Sequence, residues 1–202
     1  MIILACLMVE AFFFGGTFLG GIALGILMVP FMLMDMGGVG GVMAIFTALH
    51  LQLGIFLFPA LANFAWVKWF EKRPISSLGF FKKKWFLEIA KGWGVGMLIF
   101  SLAFLLSYLF GGLELNSVDF SAGTILYVLS TIPFWFIQGG TEELLTRGWL
   151  LPVINKRSNL VIAIAVSSSL FGLMHLANAH VTFLSILSII LSGVFMALYM
   201  LK

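Results

Sequence analysis

The chain has 202 residues, of which 62% are hydrophobic and only 9% are charged, and its formal net charge is +3. A soluble domain carries about 25% charged residues, so a chain of this length could not hide so much apolar surface from water. The composition excludes an ordinary soluble globule and predicts one bundle of membrane helices. The single cysteine, Cys6, excludes an internal disulfide.

Six apolar stretches reach the length of roughly 20 residues that a spanning helix needs. They lie at about 1–34, 42–67, 92–113, 122–140, 159–178 and 181–201. The first is too long for one straight span, and the fourth continues into a polar-studded helical stretch at 141–153. The predicted fold class is therefore all-α, a polytopic transmembrane helical bundle of about six spans.

Loop charges predict the orientation, because cytoplasmic loops are enriched in lysine and arginine. The stretch 68–91 and the turn after the fourth span carry basic residues, whereas the loops near Asp35, at 111–121 and at 177–181 carry none. The basic residues are Lys68, Lys72, Arg73, Lys82, Lys83, Lys84 and Lys91 in the first case, and Lys156 and Arg157 in the second. We expect a multi-pass protein of the cell membrane with both termini in the cytoplasm.

The first span contains Gly16-x-x-x-Gly20 and Gly21-x-x-x-Gly25. Small residues at this spacing let two helix backbones approach closely. Packing within the bundle and dimerisation both explain the pattern, so the oligomeric state stays open.

Two glutamates and an arginine interrupt the apolar sequence after the fourth span. An unpaired charge at the bilayer centre costs roughly 2.5–3.5 kcal/mol on insertion scales, so these groups must be paired or hydrated. Glu143 and Arg147 stand four residues apart, with the acid first, which favours an ion pair on one helix face. Glu142 is rotated about 100° away. A carboxylate without a close cation suits a general base.

The fifth span places Phe171 and His175 on one face. An imidazole in a membrane helix needs a polar partner. Spans four and five are joined by a short turn, so we expect antiparallel neighbours in which Glu142 and His175 converge on one water. That set can add hydroxide to an amide carbonyl. An interfacial ion-pair cluster with a structural histidine explains the same spacing, and the spacing alone leaves both readings open.

The pattern Glu-Glu-x-x-x-Arg-Gly at 142–148, followed by Phe-x-x-x-His at 171–175, resembles the first two signature motifs of a known family. This is the CAAX-protease and bacteriocin-processing family. It includes the type II CAAX prenyl endopeptidases and many bacterial proteins named for bacteriocin self-immunity or abortive infection. The resemblance covers about 120–200.

The resemblance implies an intramembrane endopeptidase that acts on a membrane-associated peptide or protein. Glu142 and His175 would activate the hydrolytic water, while Glu143 and Arg147 would orient the site through their ion pair. The hydropathy pattern and the resemblance together predict two parts. Residues 1–119 would form three N-terminal membrane helices with the basic cytoplasmic loop 68–91, and residues 120–202 would form the catalytic helical core.

The family's remaining motif is a second histidine followed four residues later by asparagine, which is thought to stabilise the oxyanion. Neither His50 nor His180 has an asparagine at that spacing. We therefore expect the chain to be short for its family at the C-terminal end, either as a truncated product or as a naturally shortened member.

Three interpretations follow for the chemistry and the partners. The first is hydrolysis without a cofactor. The second is a zinc site, although the sequence has no His-Glu-x-x-His motif. The third is a non-catalytic membrane immunity or scaffold protein of the same fold. The expected partners are the lipid bilayer and a membrane-associated peptide or protein, with no nucleic acid.

Overall fold

The computed structural model describes residues 1–33, 49–80 and 83–201, and the side chains of these residues except those of 28–33. All regular structure in these ranges is helical, which confirms the all-α prediction. The helices are α1 (Ile2–Leu33), α2 (Leu49–Phe70), α3 (Trp85–Leu109), α4 (Ala122–Asn155), α5 (Leu160–Leu173) and α6 (Phe183–Met200). A short 3₁₀ turn, Ile75–Leu78, follows α2.

Within the described residues, five helices are long and apolar enough to cross a membrane, namely α1, α2, α3, α4 and α6. Helix α5 has 14 residues. Its length is about 21 Å, against a hydrocarbon core of about 30 Å. The helix therefore ends earlier than the span predicted at 159–178. The chain turns instead through the residues that follow Leu173.

Three predicted features lie outside the described residues: the loop at Asp35, the start of the second span at 42–48, and Lys82. The chain forms two compact units, one made of Met1–Gly79 with Ser130–Lys202 and one made of Phe80–Leu129. The division predicted between 119 and 120 stays a prediction.

The unit Phe80–Leu129 contains α3 and the first turns of α4. Asp119 stabilises the turn before α4, because its carboxylate accepts hydrogen bonds from the Thr124 hydroxyl at 2.5 Å and from the Ser121 amide at 2.8 Å. These hydrogen bonds lower the pKa of the Asp119 carboxyl. The turn before α4 is thus stabilised by hydrogen bonds among neighbouring residues.

Helices α1 and α2 pack through the first pair of small residues. A Cβ atom at Gly16 would lie 2.6 Å from the backbone nitrogen of Pro59, and one at Gly20 would lie 2.6 Å from the Phe58 ring. Around the second pair, at positions 21 and 25, no described atom lies within 4 Å of the corresponding point. The first pair therefore serves packing within the unit.

The core of the unit Met1–Gly79 with Ser130–Lys202 is built around a π-helical segment of α4, Leu144–Leu150, whose seven residues are all buried. Helices α1, α2 and α5 and the 3₁₀ turn pack against this segment. Gly148 allows the turn to approach, since a Cβ atom there would lie 2.8 Å from the carbonyl oxygen of Leu78. Arg147 therefore lies in the interior, whereas Glu142 and Glu143, just before the segment, are half-buried.

Candidate functional site

A small cavity of about 70 Å³ brings Glu142 of α4 and His175, just beyond α5, to one place. Its polar walls are Gln138, Glu142, His175 and Asn178, and its apolar walls are Phe13, Phe56, Phe171 and Met174. In the described structure no direct ion pair joins Glu142 to His175. The two side chains therefore face a shared space with room for a few water molecules.

The Glu142 carboxylate is held by a neutral donor. The side-chain amide of Gln138, one turn earlier, donates a hydrogen bond of 2.9 Å to its Oε1. One turn later, the Thr146 hydroxyl donates to the Glu142 backbone carbonyl at 2.5 Å. These contacts fix the carboxylate at the cavity wall while no cation in the described residues forms an ion pair with it.

The imidazole of His175 is fixed in one tautomer. Its Nδ1 lies 2.7 Å from the backbone carbonyl oxygen of Phe171, one turn earlier. A carbonyl can only accept, so Nδ1 carries the proton and donates it. In the neutral ring Nε2 is then the acceptor, which leaves a lone pair for a water or another donor.

Arg147 is almost completely buried, with its side chain 1% exposed. Its Nη1 lies 3.0 Å from Oε1 of Glu143 and donates to the Thr146 hydroxyl at 2.6 Å. The ion pair that the spacing predicts is therefore formed. The Glu143 side chain is 40% exposed, so this carboxylate connects a buried cation to the surface.

The guanidinium of Arg147 also reaches the histidine through an aromatic ring. Its Cζ lies 4.3 Å from the centre of the Phe171 ring, a cation–π contact. The Phe171 ring meets the His175 ring edge to face, with centroids 4.8 Å apart. Phe171 therefore contacts His175 through both its backbone carbonyl and its ring. Arg147 in turn packs on the Phe171 ring.

Gly193 of α6 makes room for Arg147. A Cβ atom at this position would lie 2.7 Å from Nη2 of Arg147 and 3.1 Å from Cβ of Ser168. Nε and Nη2 of Arg147 and the Ser168 hydroxyl are buried without a hydrogen-bond partner among the described residues. Polar groups in this state are uncommon in folded proteins and call for a functional or solvation-based explanation.

The other two histidines do not line the cavity. His50 of α2 bonds through Nε2 to the Ser130 hydroxyl at 2.9 Å and packs edge to face on Phe134. His180 is exposed and has a left-handed backbone, with φ of 60°. Of the three histidines, the predicted one is thus the one at the cavity.

The zinc alternative finds two ligands of the right type at the cavity, a carboxylate and an imidazole. Structural and catalytic zinc sites in proteins use at least three protein ligands. Over residues 1–33, 49–80 and 83–201, no group of three His, Cys, Asp or Glu side chains could hold a metal ion. A zinc site would therefore need a ligand from elsewhere.

Two polar cavity residues escaped the sequence analysis, Gln138 and Asn178. The spacing of Gln138, four residues before Glu142, could have indicated it, because this spacing brings side chains together on a helix. Asn178 lies on a turn beyond α5. Its backbone amide donates a hydrogen bond of 3.0 Å to the His175 carbonyl oxygen. Its exposed side chain makes no hydrogen bond within the described residues.

The helices and the buried polar site define a multi-pass helical membrane protein. Residues 124–202 match the model of a protease family described as Type II CAAX prenyl endopeptidase Rce1-like. The match confirms the predicted resemblance over these residues, which make up less than half of the chain. No curated protein and no solved structure matches the chain.

Proposed function

We propose that the protein is an intramembrane endopeptidase that hydrolyses a peptide bond of a membrane-associated protein or peptide. One observation carries this proposal: Glu142 and His175 line the same small cavity without bonding directly to each other. A base and an oriented imidazole on either side of a water form the minimum for hydrolysis of an amide. The family match supports the same reaction class.

The first step is the attack of water. Nε2 of His175 accepts a hydrogen bond from the water and orients it, while a carboxylate oxygen of Glu142 takes the other proton. The water oxygen forms a bond to the carbonyl carbon, and the C=O electron pair moves to the oxygen. The result is a tetrahedral oxyanion and a protonated Glu142.

The second step breaks the peptide bond. The oxyanion re-forms its C=O bond as the C–N bond breaks, and the proton on Glu142 moves to the departing nitrogen. The products are a carboxyl group and an amine, and Glu142 returns to its starting state. No redox partner or cofactor takes part in this proposal.

Asn178 is the residue that we assign to the oxyanion. Its side-chain amide lines the cavity and has no hydrogen-bond partner within the described residues. Such a donor stabilises the charge that develops on the carbonyl oxygen. Glu143 and Arg147 act as positioning residues, because Arg147 holds the Phe171 ring and carbonyl against which His175 is fixed.

The test replaces Glu142 with glutamine, which keeps the size and the Gln138 contact but removes the base. Two quenched-fluorescent peptides serve as probes, one prenylated at a C-terminal CAAX sequence and one not prenylated. We expect cleavage to fall by about 10²–10⁴-fold, the usual contribution of a general base. His175→Ala should give a loss of similar size.

Glu114→Gln is the matched control, because Glu114 is exposed and does not line the cavity. Its cleavage rate should equal that of the natural sequence. Folding of all three variants is checked by size-exclusion elution and tryptophan fluorescence. Cleavage by folded Glu142→Gln at the natural rate would remove the hydrolase proposal.

A chelator separates the metal-free mechanism from the zinc alternative. We expect cleavage to be unchanged after incubation with a strong zinc chelator. Loss of activity that returns with added zinc would instead assign Glu142 and His175 as ligands.

The non-catalytic alternative is favoured by the sequence, in which no histidine is followed four residues later by asparagine. In this alternative the protein is a membrane immunity or scaffold protein. A Glu142→Ala variant that still protects cells against a bacteriocin, while cleaving neither peptide, would support binding over catalysis.

A further inference from the structure

A second, larger cavity lies where α2 and α4 end. Its volume is about 570 Å³, and it is lined by Glu71, Arg73, Pro152, Val153, Lys156 and Arg157. Three of these six residues are cations and one is an anion. None of them belongs to the site described above.

The only acid in this lining, Glu71, has its charge fully engaged. Its Oε1 accepts hydrogen bonds from the indole N–H groups of Trp149 at 2.8 Å and Trp66 at 3.1 Å, and its Oε2 forms an ion pair with Arg73. Burial raises the pKa of Glu71, but these hydrogen bonds and the Arg73 charge outweigh it and lower the pKa overall. Glu71 therefore stays ionised and neutralises Arg73.

The remaining two cations of the lining have no counter-ion. Lys156 and Arg157 are exposed, and neither side chain forms an ion pair or hydrogen bond within the described residues. The cavity thus carries a net charge of about +2 against a wall made rigid by two indoles and an arginine. A concave basic surface of this kind attracts an anion.

The neighbouring apolar residues place the cavity at a membrane boundary. Val161, in the first turn of α5, is 76% exposed, and Trp69 and Phe70 at the end of α2 are 68% and 69% exposed. In a membrane protein such side chains face lipid or the interface. Lys156 and Arg157 come directly before this apolar surface, so their charges lie at the level of the lipid headgroups.

We propose that this cavity binds the phosphate of an anionic phospholipid headgroup. Lys156 and Arg157 would hold the phosphate oxygens, and Arg73 would stay with Glu71 as part of the wall. The acyl chains would run along the exposed apolar surface of α5. The proposed ligand uses both its charged headgroup and its apolar chains for binding. The site is therefore proposed for a lipid and not for a free phosphate ion.

The experiment uses the full chain in detergent with dioctanoyl phosphatidylglycerol, dioctanoyl phosphatidylcholine or inorganic phosphate as probes. Binding is measured by native mass spectrometry or thermophoresis. The natural sequence should prefer phosphatidylglycerol over phosphatidylcholine by about tenfold or more, since each cation near the lipid contributes roughly fivefold. Lys156→Gln combined with Arg157→Gln should weaken phosphatidylglycerol binding by about 25-fold on the same basis.

The matched control is Lys68→Gln combined with Lys83→Gln, which removes the same charge from exposed lysines that do not line the cavity. It should keep the natural affinity. An equal loss in the control would show attraction to net charge and overturn the site. Inorganic phosphate that binds as tightly as phosphatidylglycerol would overturn the lipid assignment, as would equal affinity for the two lipids.

Discussion

Two polar clusters in the same unit differ in the number and charge of the hydrogen-bond donors around their glutamates. The outer cluster consists of Trp66, Glu71, Arg73 and Trp149, and the inner cluster consists of Glu142, Glu143, Arg147 and His175. In the outer cluster the Glu71 carboxylate receives two indole hydrogen bonds and an arginine. In the inner cluster Glu142 receives one neutral amide.

The difference separates the structural role of Glu71 from the chemical role that we propose for Glu142. A carboxylate with three donors is stabilised in its ionised form and has little tendency to take a proton. A carboxylate with one neutral donor at a cavity wall can exchange a proton with water. The inner cluster also leaves Nε and Nη2 of Arg147 without hydrogen-bond partners in the part of the chain that the structure describes. The two clusters are distinguished by the number and charge of the hydrogen-bond donors to each glutamate, and not by burial alone.

Among the variants that keep Glu142 and His175, the largest effect is expected from Asn178→Ala, which removes from the inner cavity an amide with no hydrogen-bond partner in the described residues. Loss of one oxyanion donor should lower kcat by about 10²–10³-fold with little change in KM. The measurement is steady-state cleavage of the peptide probe. Asn116→Ala, at an exposed loop position, is the control and should be silent. A natural kcat in Asn178→Ala would leave the residue without a role in the reaction.

Arg147→Met breaks the inner cluster itself. We expect kcat to fall by about 100-fold, because small displacements of catalytic groups have effects of this size. Unfolding stability in detergent should fall by less than the roughly 3–5 kcal/mol that removing one partner of a fully buried pair costs, because the remaining Glu143 side chain is 40% exposed and can be hydrated. Arg147→Lys keeps the charge without the planar stack and should recover only part of the rate. A large stability loss with natural kcat per folded molecule would assign Arg147 to folding alone.

Gly193→Ala in α6 should disturb the packing around Arg147 of α4. The added methyl group would meet Nη2 at 2.7 Å and the Ser168 Cβ at 3.1 Å. Overpacking of this kind costs about 1–3 kcal/mol, which thermal unfolding in detergent would detect. Gly21→Ala in α1 is the matched control, because no described atom lies within 4 Å of its Cβ position. Equal stability of the two variants would contradict the close approach of α6 to Arg147.

Glu71→Gln addresses the outer cluster and should have the smallest effect, about 1 kcal/mol of stability. Because the pKa of Glu71 is lowered in the folded protein, its contribution is complete above the ordinary glutamate pKa. It is lost as the pH falls through the lower folded value. Melting curves of the natural sequence should therefore drop on acidification by more than those of Glu71→Gln. Parallel curves for the two proteins would argue against the ion pair with Arg73.

Local spacing was sufficient for several features of the inner cluster. The Glu143–Arg147 pair follows from four-residue spacing on one helix, and the meeting of Glu142 with His175 follows from antiparallel neighbours joined by a short turn. Both depend on helix geometry that a sequence carries directly.

Features that depend on distant segments could not be predicted. The Glu71–Trp149 hydrogen bond joins residues 78 positions apart, and the fit of Gly193 to Arg147 joins α6 to α4. The early end of α5 was also missed, because hydropathy continues past Leu173. The helix stops where the His175 side chain takes the Phe171 carbonyl, a competition between side chain and backbone that composition does not reveal.

The shortness of α5 bears on how solvent reaches the reaction. Starting from the headgroup level near Arg157, a helix of 14 residues ends about 9 Å before the far side of a 30 Å hydrocarbon layer. Non-helical backbone at such a depth is tolerated only inside protein or along a wet channel. The exposed turn that bears His175 and Asn178 is therefore expected to face water or protein instead of lipid.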